Sequence, residues 1–182
     1  MKNVLQESEL GEEENERDQS QNEIEKATRL IEERGFIFKP SYVPDYGDGV
    51  VSGTIEIVPR IAMIPIPRAE LKFVLQKGIL TITAFQVWNV TQEKKDGCGY
   101  GLLAYLLSKF GHGIRLIAGQ LRMDNLEEYQ KGIKQGLSPE EAVKLTPAYK
   151  IRAKFGYTEL VQCVPNLVSS APFVALTTAK PS

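Results

Sequence analysis

Between Gly97 and Gly101 the chain reads Gly-Cys-Gly-Tyr-Gly, three glycines at alternate positions, placed between an apolar run from Leu80 to Val90 and a leucine-rich one from Leu102 to Phe110. Glycines so spaced leave backbone N–H groups unshielded by a Cβ, and a helix starting there adds its own unpaired amides and positive dipole end. The chemistry this suits is the holding of an anion, and in a loop of this size a phosphorylated ligand. The plainer reading of the same residues is a tight turn between strand and helix. Spacing narrows the ligand. A Walker loop ends in Gly-Lys-Ser/Thr, whereas Gly101 is followed by Leu102 and Leu103, so no side chain is set to bind magnesium. A dinucleotide fingerprint needs a third glycine where Leu102 stands, and an opening βαβ unit that the preceding residues do not supply.

Other reactive side chains are scattered. Cys98 lies inside the glycine run, where nearby amides would lower its pKa, although a small side chain filling a tight turn accounts for it as well. Cys98 and Cys163 have neither zinc-site nor disulfide-framework spacing, so both are expected as reduced thiols and no metal is expected. The only histidine, His112, sits in Gly111-His-Gly113 at the far end of the leucine-rich helix, a place that suits a polar helix-end residue better than a base. Glu56 and Glu70 fall on strand candidates, where alternating carboxylates ordinarily make the solvent face.

These residues need elements to position them. Ile24, Ala27, Leu30 and Ile31 repeat at helical spacing over Glu23 to Arg34, and Gly35 is a suitable stop. Phe36 to Phe38 reads as a short strand, and Tyr42 to Gly49 as a turn-rich connection. Val51 to Val58, Ala69 to Leu75 and Leu80 to Val90 read as an antiparallel meander, with Pro59, Pro65 and Pro67 kept to edge or loop conformations and Gln76-Lys-Gly78 as a turn. A helix from near Gly101 then leads to a parallel or splayed strand, Ile114 to Leu121. Residues 122–137 form a charged insertion with Leu126, Tyr129 and Ile133 at helical spacing. Ser138-Pro-Glu-Glu141 is a helix start with serine as cap, proline at the first position and Glu141 completing a capping box, and Pro147 restarts the helix near Ala148. Cys163, Phe173 and Leu176 belong to terminal strands that complete the sheet.

Composition bounds the whole. A chain of 182 residues with 42% hydrophobic and 25% charged residues has room for one well-filled core, expected over residues 23–182. Met1 to Lys26 carries nine acidic and three basic residues, net −6, which against −1 for the whole chain leaves +5 for the rest. Residues 1–22 are therefore expected to be an acidic, flexible segment. No apolar run is long enough to span a bilayer and the N-terminus is acidic rather than basic, so no membrane partner and a cytoplasmic location are expected. Nucleic acid is not an expected partner, because basic repeats and regularly spaced stacking aromatics are both missing. Exposed sheet edges leave a homodimer open.

The glycine run resembles the acyl-CoA loop of the GNAT acetyltransferase superfamily, Gln/Arg-x-x-Gly-x-Gly/Ala between a splayed strand and a helix. Asp96-Gly-Cys-Gly-Tyr-Gly fits at Gly99 and Gly101, with Asp96 where the family has Gln or Arg and Lys94 and Lys95 just upstream. Downstream, Leu145-Thr-Pro-Ala-Tyr-Lys-Ile-Arg-Ala-Lys-Phe-Gly-Tyr157 is similar to the family's Asn-x-x-Ala-x-x-Leu-Tyr-x-Lys-x-Gly-Phe. Ala148, Ile151, Lys154, Gly156 and Tyr157 fall in register, Leu145 replaces the asparagine, and Arg152 replaces the tyrosine that often serves as general acid.

The resemblance covers Val50 to the C-terminus. It implies a single GNAT-like α/β (α+β) domain with a mixed, mostly antiparallel sheet of six to seven strands flanked by helices and splayed at the cofactor slot. It implies acetyl-CoA or another acyl-CoA as co-substrate and direct transfer of the acyl group to an amine, on a small molecule or a peptide. The backbone of Val87, Trp88, Asn89 and Val90 would hold the pantetheine arm. Amides of Lys95, Asp96, Gly97, Cys98, Gly99, Tyr100, Gly101 and Leu102 would hold the pyrophosphate, and Arg152 would contact phosphate or charge near the sulfur. Tyr149, a turn before Arg152, is the substitute acid, and Glu70 the base. Two alternatives stand beside it: a CoA-binding regulatory protein without the usual acid, and an interaction module built on the acidic head or the charged insertion.

Overall fold

The computed structural model describes residues 20–44, 49–61, 66–88, 97–164 and 171–178. Residues 20–33 form a helix, α1, that buries Ile24, Ala27 and Ile31 and ends at Gly35, whose φ of 79° only glycine adopts without strain. Four antiparallel strands follow, β1 (Phe36–Pro44), β2 (Val50–Pro59), β3 (Ala69–Gln76) and β4 (Ile79–Val87), then α2 (Cys98–Phe110) and β5 (Leu116–Gln120). Three helices, α3 (Asp124–Lys134), α4 (Pro139–Leu145) and α5 (Pro147–Ala153), lead to β6 (Tyr157–Val164) and β7 (Phe173–Thr178). The seven strands make one mixed sheet in the order β1-β2-β3-β4-β5-β7-β6, with β4 and β5 its only parallel neighbours among the described residues. This is the single α/β domain that the resemblance implies, its sheet having seven strands where six to seven are expected.

Local chemistry accounts for the boundaries. Lys77 and Gly78, both at positive φ, make the two-residue turn joining β3 to β4. Ser138 caps α4, accepting from the Glu141 amide while Glu141 accepts from the Ser138 N–H, and the Thr146 hydroxyl caps α5 by accepting from the Tyr149 amide, ahead of Pro147. The first strand is longer than the sequence predicts, running to Pro44 instead of stopping at Phe38. As an edge strand it tolerates Pro40, and Tyr42 draws the chain on by setting its ring edge-on to Phe73 and Phe110, with centroids 6.1 and 5.5 Å away.

Against β1–β4 the core lies on one face of the sheet, whereas β5 and β7 bury residues on both faces. Leu102, Leu103, Leu106 and Leu107 of α2 join Ile31 of α1 against Ile55, Ile57, Leu71, Phe73 and Leu80. The opposite face of β1–β3 is polar and carries the ion pairs Lys39–Glu56 and Lys72–Glu70. No helix among the described residues is long and apolar enough to cross a membrane.

Candidate functional site

The site begins with a fault in the sheet. β4 runs parallel to β5 only from Ile79 to Ile82, opposite Leu116 to Gly119. At that point Lys72 pairs with Ala84 while Phe73 pairs with Ile82, so Thr83 is an extra residue, a β-bulge. A bulge bends its strand and increases the local twist. Beyond it β4 follows β3 as far as Val87, and β5 follows β7 to Gln120. The strands part like a fork, and the β4 edge from Thr83 to Val87 has no strand partner on the β5 side among the described residues. With four residues advancing along β3 at about 3.3 Å each, that is about 13 Å of open backbone.

The N-terminus of α2 faces the open end. The helix begins at Cys98, three residues earlier than the sequence predicts, so most of the glycine run is its first turn and not a loop. Gly97, at φ 66°, is the left-handed residue before it, and the Gly101 N–H donates to the Gly97 carbonyl at 2.8 Å. The amides of Gly101 and Leu102 are thus taken up within the helix, while those of Cys98, Gly99 and Tyr100 belong to the turn without intrahelical partners. The side chains go elsewhere. Cys98 and Leu102 are buried in the core, and neither cysteine is in a disulfide. Tyr100 turns back to donate its hydroxyl to the Glu23 carboxylate, with its ring stacked on Phe155 and under Lys154. That bond holds the Glu23 carboxyl below its usual range, and burial above all raises the Tyr100 phenol.

Each glycine of the run has a different neighbour. A Cβ on Gly99 would stand 2.7 Å from the Phe85 ring of β4 and 3.5 Å from Ile151 of α5, so β4, α2 and α5 meet there. A Cβ on Gly101 would strike Ile31 at 2.5 Å, which makes Gly101 a contact glycine between α1 and α2. No motif in the sequence singles out Phe85. Its alternation with Val87 sets it on the α2 face only after the bulge, which no sequence pattern announces.

Arg152 lies at the crotch of the fork. It is 6% exposed, and its Nη2 is 3.3 Å from where a Gly119 Cβ would be; that same position is 3.0 Å from the Ile82 carbonyl. Gly119 and Ile82 are the last pair before the strands part. Among the described residues no ion pair reaches the guanidinium, and burial alone pulls its pKa down to about 10. Gly119 is the signal that could have found this place, since an isolated glycine in an apolar strand marks a close approach.

The remaining candidates are dispersed. Val87 pairs with Ala69, and the Trp88 N–H donates to the Arg68 carbonyl at 2.9 Å, which holds the chain to the β3 side as it leaves the sheet. Asn89, Val90, Lys95 and Asp96 lie outside the described residues. The Tyr149 hydroxyl donates to the Thr158 carbonyl of β6 at 3.2 Å and is not brought to the fork. Glu70 stands opposite Glu56 on the polar face, 3.3 Å from Lys72. His112 is exposed in the one-turn helix at the other end of α2. Two shallow depressions, one along α1 and Ser108 and one between Ser138 and β6, are lined by none of the fork residues. Among the described residues no cluster of His, Cys, Asp or Glu could hold a metal.

No family model and no curated protein matches the chain. Among solved structures it is similar to nourseothricin acetyltransferase, with 12% identity over 79% of this chain and 84% of that one and a TM-score of 0.43. It is also similar to an acetyltransferase from Bacillus cereus ATCC 14579, with 12% identity over 79% of this chain and 73% of that one and a TM-score of 0.33.

Proposed function

We propose that the fork binds acetyl-CoA or another acyl-CoA and that the protein transfers the acyl group to an amine. The observation that carries this reading is the parting of β4 from β5 at the Thr83 bulge, with the first turn of α2 facing the opening. An extended amide-containing arm can add to an unpaired strand edge by backbone hydrogen bonds, and a helix start can hold the phosphates at the end of that arm. Val87, Trp88, Asn89 and Val90 would bond the arm. The amides of Lys95, Asp96, Gly97, Cys98, Gly99 and Tyr100 would take the pyrophosphate.

Transfer by direct attack needs a neutral amine, a route for its proton and a proton for the leaving thiolate. Glu70 on the polar face is the base for an acceptor arriving over that face. Tyr149 would serve as acid by releasing Thr158. Calorimetric titration with CoA and acetyl-CoA, with ATP as a control, tests the pocket. Saturable binding of both CoA species and at least about tenfold weaker binding by Gly99→Glu are expected, since the new side chain brings bulk against Phe85 and a negative charge to the anion site. A folded Gly99→Glu protein with undiminished CoA affinity would remove the α2 turn from the site.

A further inference from the structure

Arg152 is a charge in a place where charge is costly. A buried guanidinium loses several kcal/mol of hydration, on the order of a small domain's whole stability, unless a carboxylate or hydrogen-bond acceptor makes it good. Here no ion pair among the described residues does so, and Gly119 leaves the space its head group occupies. The position is specific as well. Along β4, Ile82 and Phe85, the residue against the first turn of α2, pair with Phe73 and Leu71, two residues apart on β3, so the guanidinium sits about 7 Å deeper than the helix start, at the closed end of the fork. A phosphate held at α2 would not reach it, whereas the far end of an arm laid along β4 would.

We propose that Arg152 is a carboxylate-recognition residue, and that the acyl group this protein prefers ends in a carboxylate, as in the monothioester of a dicarboxylic acid. The inference rests on the acyl-CoA reading of the fork. A carboxylate brought in on the acyl chain meets a planar, fixed, desolvated cation able to bond both its oxygens. A neutral acetyl group would leave that cation unpaired, so the same residue both attracts the one and disfavours the other.

Two stable thioether analogues test it by calorimetry: S-propyl-CoA and its carboxylated counterpart, S-(2-carboxyethyl)-CoA. The native protein is expected to bind the carboxylated analogue at least about tenfold more tightly. In Arg152→Met the two affinities are expected to converge to within about twofold, while the melting temperature of the ligand-free variant equals or exceeds that of the native protein, because a buried charge without an ion-pair partner has gone. Equal affinity of the native protein for the two analogues, with plain CoA still binding, would overturn the carboxylate assignment and leave the pocket standing. Absence of binding by CoA and by both analogues would overturn the pocket and this inference with it. Should Arg152→Met fail to fold, the comparison of the two analogues on native protein decides alone.

Discussion

At the scale of residues, the three glycines of the Gly97–Gly101 run meet one description in the sequence and three in the structure. Gly97 supplies a left-handed turn, Gly99 lets Phe85 and Ile151 approach the first turn of α2, and Gly101 admits Ile31 of α1. Alanine separates them. At Gly101 its Cβ strikes a fully buried Ile31, so Gly101→Ala is expected to cost about 1–3 kcal/mol through overpacking, read from the denaturant midpoint. At Gly99 the obstructing Phe85 ring is 40% exposed and can swing away, so Gly99→Ala is expected to be near neutral, its better helix propensity offsetting the displacement. The reverse order would mean that Gly101 and not Gly99 borders the open site. The spacing of the run is legible in the sequence because access to amides has a local pattern. Its packing reasons are not, because Ile31 comes from far upstream and Phe85 turns inward only after a bulge.

At the scale of elements, most helices announce themselves, since caps and stops are local chemistry: Gly35 closes α1, Ser138 and Glu141 open α4, and Pro147 divides α4 from α5. The start of α2 is less legible, because nothing near Cys98 says that its thiol will be drawn into the core and pull the first turn into the helix. That turn is anchored to α1 by the Tyr100–Glu23 bond. Tyr100→Phe is expected to lower stability by about 1 kcal/mol at neutral pH, a modest figure for a bond at the edge of the core. Its pH dependence has a definite sign. The Glu23 carboxyl is held below its ordinary 4.5, so its contribution is full above that value and is lost as pH falls through the depressed folded-state value. Urea melts of the two proteins should therefore differ at pH 7 and draw together on acidification below about 4.5. A constant gap across that range would show that Tyr100 acts through its ring contacts and not through the carboxylate.

At the scale of the whole molecule, the fork divides the sheet into two parts. One is β1–β4 under α1 and α2, and the other is β5–β7 with α3–α5. The sequence anticipates the meander and the later strands, since hydrophobic alternation is read within each strand. How the parts are joined is not legible, because the join is made by side chains of distant segments. It includes the short Ile79–Ile82 ladder and a joint on the core side where Phe155 stacks on Tyr100 at 4.9 Å and its carbonyl accepts from the Ser20 hydroxyl at 3.4 Å. Phe155 is 2% exposed, so Phe155→Ala removes both core volume and the joint, and a loss of about 3–5 kcal/mol is expected. The position of that loss carries more information than its size. If Phe155 only fills the core, exchange of backbone amides should quicken evenly across the sheet. If it fastens the two parts, the amides of β5–β7 should lose protection first while β2 and β3 keep theirs, as a locally opening unit would. The second result is expected. It would mean that the two walls of the fork are held in register from outside the strands themselves, and that a ligand bonded to β4 and α2 on one side and to Arg152 on the other should restore protection to β5–β7 in the variant.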